Sequence, residues 1–316
     1  MSSLLDNLVA LVLLLVFSFL LLHSLPGSQA DVLLASDLIP GASASDYAET
    51  EQQLGLDQPL PLQFWQWLQA VGQGDLGYSM TYSASVSSVL GGALPWTLTL
   101  ALISLPVSLF SGSLLGLAAG MHPKRLLSRF LLVVMTLLNS VPGFVVALLL
   151  LGVFAVGLDW FPSAGGSSMA ARLGGHASFA DLAYHAILPL LALSIHGSVR
   201  YFYLSYGLAQ QIGRRPFIRY ARLRGIRGWR LLSRWYLPNA GPELLSRLTS
   251  SLPGLIGSTL LVEIVFSYPG AGTLMLDAIN NRDYPLLQGT LLLTGVVLLA
   301  GNTLLDFLTT TLTQRG

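Results

Sequence analysis

Several apolar runs in this chain exceed the ~18 residues at which a segment is long enough to cross a bilayer as a helix. Only 10% of the 316 residues are charged and 53% are hydrophobic, against about 25% charged in a soluble domain. The composition therefore predicts an all-α polytopic membrane protein whose medium is the lipid bilayer. No soluble stretch is long enough for a separate catalytic domain. A net charge of +1 gives no reason to expect nucleic acid as a partner. Cysteine is absent, which excludes a disulfide framework, thiolate chemistry and cysteine metal sites.

The runs divide the chain into six expected spans, at about 8–25, 96–119, 130–156, 182–204, 252–266 and 286–307. Residues 27–30 resemble a small-residue cleavage site, but the only charge before the first run is Asp6, so a retained span at 1–25 is expected and not a signal peptide. The segment 26–93 carries seven acids, Asp31, Asp37, Asp46, Glu49, Glu51, Asp57 and Asp75, with no Lys or Arg and no metal-ligand spacing. A membrane core with the five remaining spans follows at 94–309. Within it Gly112, Gly116 and Gly120 recur every four residues, a spacing that lets helix backbones approach closely. Pro142 and Gly143 predict a kink in the third span. His185 and His196 lie eleven residues apart on one helix face, too far for one metal centre, so helix contact or pore lining is expected of them.

Charge sets the topology. Short basic loops stay cytoplasmic, which places 121–129 and 209–247 inside, and 26–93, 157–181 and 267–284 outside, with both termini cytoplasmic. The 209–247 loop holds nine of the sixteen basic residues: Arg214, Arg215, Arg219, Arg222, Arg224, Arg227, Arg230, Arg234 and Arg247. Gly225 and Gly228 predict a break between two short helices. Arg227, Arg230 and Arg234 would share one helical face, with Ile226, Trp229 and Leu232 on a neighbouring one. Asn239, Gly241 and Pro242 predict a later helix stop. Two readings are open for this stretch: a topology signal touching anionic lipid, or a docking element for a cytoplasmic partner.

No zinc-protease motif, nucleophile elbow or Lys-terminated phosphate loop is present. The chain is expected to be non-catalytic and to bind no cofactor or metal. If it transports actively, another polypeptide or an ion gradient supplies the energy. Gradient coupling usually wants acids at the midplane, whereas Glu263 and Asp306 sit near span ends. An ion-coupled transporter or channel is the alternative reading.

Three stretches carry a resemblance. FIRYARLRGIRGWRLLSRWYLPNA, VEIVFSYPGAGTLMLDAINNRDYPLLQG and LGLDQPLPLQFWQWLQAVGQGDLGYSM together resemble membrane permease subunits of the peptide/nickel-type binding-protein-dependent ABC importers. The broader family places an acid-Ala-Ala triplet before the loop glycine; here it is Arg219, Tyr220 and Ala221, with Arg219 fitting the peptide branch. The resemblance implies a type I importer permease architecture of six transmembrane helices in the bacterial inner membrane. It implies a second permease subunit, two ATPase subunits that bind ATP and Mg, and an extracytoplasmic solute-binding protein delivering peptides or related small solutes. It implies ATPase coupling at Phe217, Arg219, Ala221, Arg222, Arg224 and Gly225, on a short helix at about 216–225. Glu263, Phe266, Pro269, Gly270, Gly272 and Asp283 are the implied extracytoplasmic gate or structural residues.

Overall fold

The computed structural model describes residues 2–24, 58–174 and 177–313. The acids from Asp31 to Asp57, residues 27–30, the side chain of His23 and the tail at Arg315 lie outside the described residues. The chain is helical almost throughout. In order come α1 (Ser2–Ser24), α2 (Leu60–Gly72), a two-residue antiparallel hairpin of β1 (Tyr78–Ser79) and β2 (Ala84–Ser85), α3 (Val86–Met121), α4 (Leu126–Asn139), α5 (Gly143–Leu150) and α6 (Met169–Gly174). Then follow α7 (Phe179–Gly213), α8 (Pro216–Leu223), α9 (Gly228–Leu231), α10 (Leu237–Ser246), α11 (Leu252–Val265), α12 (Ala271–Asn280) and α13 (Tyr284–Thr313).

Among the described residues, three helices are long and apolar enough to cross a membrane: α3, α7 and the 284–307 part of α13. A fourth crossing results if α4 and Gly143–Gly157, which is α5 with its π-helical continuation, count as one broken span, and Asp6–Leu21 and α11 are shorter apolar helices. This is an all-α, multi-pass membrane fold.

Where sequence predicts a kink at Pro142, the chain turns by 102° between α4 and α5. Pro142 has no N–H to donate and disfavours the helical region for Val141 before it. It adopts an extended conformation as the N-cap of α5 (φ −56°, ψ 145°), so the helix stops and restarts. Pro59 and Pro61 likewise start α2, with Pro61 in its first turn, and do not interrupt it.

Two compact units are present, Met1–Pro95 with Thr273–Leu299 and Trp96–Gly272 with Ala300–Gly316. In the first, Val86, Leu90, Ala93, Leu274, Ala278 and Leu286 form a buried cluster, and Phe19 packs edge-on against Phe64 with ring centres 5.2 Å apart.

In the second unit, α7 is the hub, packing against α4, α5, α8, α10 and α11. It is 35 residues long and begins where the Ser178 hydroxyl accepts from the Asp181 N–H at 3.1 Å. The glycine repeat of α3 lies against it. A Cβ at Gly112 would collide with the Ser198 carbonyl, at Gly116 with Ser205 and the Phe202 carbonyl, and at Gly120 with Ala209 and the Tyr206 carbonyl. Backbones in contact here leave room for small hydroxyls only. The Ser111 and Ser198 hydroxyls share a hydrogen bond of 2.7 Å, and the Ser108 hydroxyl donates to the Ser194 carbonyl at 3.3 Å.

Candidate functional site

The basic loop begins where α7 ends, at Gly213, four residues past the expected boundary. Arg215 is the extended N-cap of α8, and Pro216 opens the helix with the φ that a first turn requires. Ile218 and Ala221, three apart, are fully buried in a cluster that includes Ile212, Leu231, Leu232, Tyr236, Ala240 and Leu244. Phe217 stacks on Trp235 at 6.1 Å and 22°. Arg222 donates to the hydroxyl of buried Tyr236 at 3.0 Å. Burial, then the charges of Arg125 and Arg222, hold His122 below the ordinary imidazole range.

The opposite face of α8 is exposed. Arg219 lies there with Tyr220 at 59% and Leu223 at 78% exposure, exposed Arg222 flanks the buried face, and the Arg224 guanidinium at the helix end sits 5.8 Å from the Tyr220 ring centre. Among the described residues no acid pairs with any of these arginines; the one arginine ion pair is Arg247 to Glu243 at 3.2 Å.

Gly225 ends α8 with φ +81° and nothing within 4 Å of where a Cβ would stand, so its requirement is conformational and not spatial. The Ile226 N–H reaches back to the Ala221 carbonyl at 3.1 Å and the Gly225 N–H to the Arg222 carbonyl at 3.0 Å. These are the two bonds of a Schellman cap, with Ile226 returning to the cluster that holds Ala221. The expected break is therefore present, and the helix is Pro216–Leu223. Two expectations nearby fail. Arg227 is the extended N-cap of α9 (φ −140°, ψ 168°), and Arg234 falls in a π-helical stretch, Leu232–Tyr236, so the three arginines do not form one α-helical face. Pro242 does not stop α10, which runs to Ser246.

The second set of residues forms two separate constructions. Glu263 is fully buried near the end of α11 and accepts from the Gly272 N–H at 2.7 Å. The Thr97 hydroxyl accepts from the Ala271 N–H at 2.8 Å. Glu263 and Thr97 thus satisfy first-turn donors of α12, where a carboxylate is also favoured by the helix dipole. Gly270 is needed because a Cβ there would overlap the Glu263 carboxylate, and Gly272 because one would strike the Leu260 backbone. Phe266 is buried with Tyr268 and Val262, its carbonyl accepting from the Gly165 N–H at 2.9 Å. Pro269 lies where a Cβ on Gly166 would reach it at 3.0 Å.

Asp283 acts elsewhere, in the first unit. Its carboxylate accepts from the Ser79 hydroxyl at 2.6 Å, the Thr81 N–H at 3.1 Å and the Leu286 N–H at 3.1 Å. It caps α13 and fastens the hairpin. Tyr82 donates to Asp277 at 2.7 Å beside it, and burial together with the two carboxylates pushes its phenol up to about 12. Sequence reasoning missed Thr97, Ser79 and Tyr82, whose partners lie far away in the chain.

Among the described residues no group of three or more His, Asp or Glu is placed to hold a metal. His185 turns back on its own helix, its Nδ1 2.9 Å from the Asp181 carbonyl.

Comparison with known proteins covers nearly the whole chain. Residues 112–315 match the family described as binding-protein-dependent transport system inner membrane component, and residues 1–101 match the N-terminal family of such membrane components. A putative peptide permease protein of Brucella suis is 31% identical over 97% of this chain and 94% of its own length. A probable peptide ABC transporter permease protein of Sinorhizobium fredii is 31% identical over 95% and 93%. A glutathione transport system permease protein of Salmonella typhimurium is 30% identical over 98% and 95%.

Proposed function

The chain belongs to the binding-protein-dependent transport system inner membrane components, and from that membership we propose that it forms one half of the translocation path of an ATP-driven importer of peptides or related small solutes. It is a multi-pass protein of the bacterial inner membrane and a non-catalytic permease subunit. Six transmembrane helices in the type I importer arrangement, with both termini cytoplasmic, are part of the proposal. So is the division into a first helix at 1–25, an extracytoplasmic segment at 26–93 and a core at 94–309 whose 209–247 loop faces the ATPases. The partners are a second, homologous permease subunit, two ATPase subunits that bind ATP and Mg, and an extracytoplasmic solute-binding protein. The peptide assignment follows from the names of relatives that match over nearly their full length.

The observation that carries this reading is α8. It is short, opened by Pro216, closed by the Gly225 cap and anchored by Ile218 and Ala221, while its outward face holds arginines that no acid among the described residues pairs, beside exposed Tyr220 and Leu223. A rigid element with such a face suits a groove lined by carboxylates, where arginine makes charge-assisted bonds, and it passes on a rigid-body displacement. Phe217, Ala221 and Gly225 hold its shape; Arg219, Arg222 and Arg224 make the contact. Glu263, Phe266, Pro269, Gly270, Gly272 and Asp283 shape the extracytoplasmic side.

The test uses the importer reconstituted in vesicles. Arg219→Glu and Gly225→Val are expected to lose most of the ATPase stimulation by loaded binding protein while the protein stays in the membrane. Wild-type coupling in both variants would refute the assignment.

A further inference from the structure

Within the second unit, α3, α7 and α11 line a partly open cavity of about 150 Å³ whose polar wall is Ser108, His196, Tyr201, Ser251, Ser258 and the exposed Arg200 at its open side. Arg200 lies thirteen residues before the end of α7, or ~20 Å along it. That is well inside a helix apolar enough to cross the membrane. The Tyr201 and Ser251 hydroxyls share a hydrogen bond of 2.7 Å. The Nδ1 atom of His196 is buried and has no hydrogen-bond partner among the described residues.

An arginine in a membrane span is normally paired with an acid or turned to a polar cavity. Arg200 lines the cavity but lacks the acid. Its two terminal nitrogens donate to the Ser250 carbonyl and hydroxyl, each at 3.1 Å, and both acceptors are neutral. No carboxylate pairs with it among the described residues. Two of its five N–H groups are used, so donors remain. A buried imidazole nitrogen without a partner stands on the same helix, four residues away. The site is thus cationic, rich in hydroxyls and short of a counter-ion.

We propose that this cavity is a transit site in which Arg200 pairs with the carboxylate of the passing solute, which for a peptide is its C-terminus. The proposal rests on the import function given above. The cavity is partly open, so it can take a terminal carboxylate with its neighbouring side chain while the rest of a longer solute lies outside it. His196, Tyr201 and Ser258 supply the polar wall against which the terminal amide lies. Arg200 also ties α7 to the Thr249–Ser251 turn through Ser250, and a purely mechanical role there is the competing explanation.

The deciding measurement is binding of trialanine and trialanine amide to the complete importer in nanodiscs without binding protein, read by saturation-transfer NMR. The wild type is expected to hold the acid roughly tenfold more tightly than the amide, the scale of one charge-assisted pair. Arg200→Gln abolishes that preference, Arg200→Lys keeps most of it, and Ser250→Ala, which removes only one neutral partner, leaves it unchanged. Equal affinity for acid and amide in the wild type overturns the proposal, as does a preference that survives R200Q. A loss in S250A equal to that in R200Q assigns Arg200 to the mechanical role and also overturns it. ATP-driven peptide uptake is measured on the same purified importer reconstituted in sealed vesicles with loaded binding protein. Its absence in the wild type would refute the import function, while the acid preference and its loss in R200Q would still identify a carboxylate site.

Discussion

Single residues in this chain are explained by what stands opposite them. Gly270 and Glu263 occupy overlapping space, since the carboxylate fills the volume a Cβ would need. Gly270→Ala is expected to cost about 1–3 kcal/mol by overpacking. Glu263→Ala should cost a similar ~1–3 kcal/mol, because it leaves the buried Gly272 N–H without its acceptor. In the double variant the clash is gone, so the combined loss should fall short of the sum; thermal unfolding of the purified importer measures all three. Glu263 and Gly270 stand out in the sequence as parts of a recognisable stretch, and Gly225 between arginines is legible as a break. Thr97 was not, because a threonine inside an apolar run looks like any other span hydroxyl. Only the fold brings it to the Ala271 N–H, 174 positions along the chain.

Elements were legible in proportion to how local their causes are. α8 could be read from Pro216 at one end and Gly225 at the other. The full lengths of α3 and α7 could not, since their ends are rich in glycine, serine and glutamine, which hydropathy assigns to loops although the backbone stays helical. The 102° turn between α4 and α5 was expected only as a kink. Sequence shows that Pro142 lacks a donor but not whether neighbours will rescue the helix. The hairpin at 78–85 had no local signal, and its fastening comes from Asp277 and Asp283. The raised phenol of Tyr82 gives a handle on it. A folded pKa above the ordinary 10 means that the hydrogen bond to Asp277 contributes fully below about pH 10 and is lost as pH rises through about 12. Spectrophotometric titration of the tyrosines should show a component near 12 to which Tyr82 and Tyr268 both contribute, and Tyr82→Phe should lower its amplitude by one tyrosine. If Tyr82→Phe leaves that component intact, the latch is not formed in solution.

For the whole molecule, composition alone requires a membrane, and the charge pattern predicts a side for each loop. Because cysteine is absent, introduced cysteines report their side directly. Met169→Cys and Leu223→Cys, both at strongly exposed positions, should react with a membrane-impermeant maleimide in opposite ways. The first should be labelled on intact spheroplasts and the second only after permeabilisation; the reverse pattern would invert the proposed topology. The cavity around Arg200 was not legible, because its wall gathers α3, α7 and α11 from distant parts of the chain. The contact of α3 with α7 has a mechanical consequence as well. Two rods bonded along their length bend as a composite beam, much stiffer than either alone. Gly112, Gly116 and Gly120 bond these two along the stretch from Ser198 to Ala209, between the cavity and the start of the basic loop. Slippage there would have to skip a whole four-residue tooth, ~6 Å. A displacement imposed on α7 at Arg214 therefore reaches Arg200 with little of it dissipated as flexure.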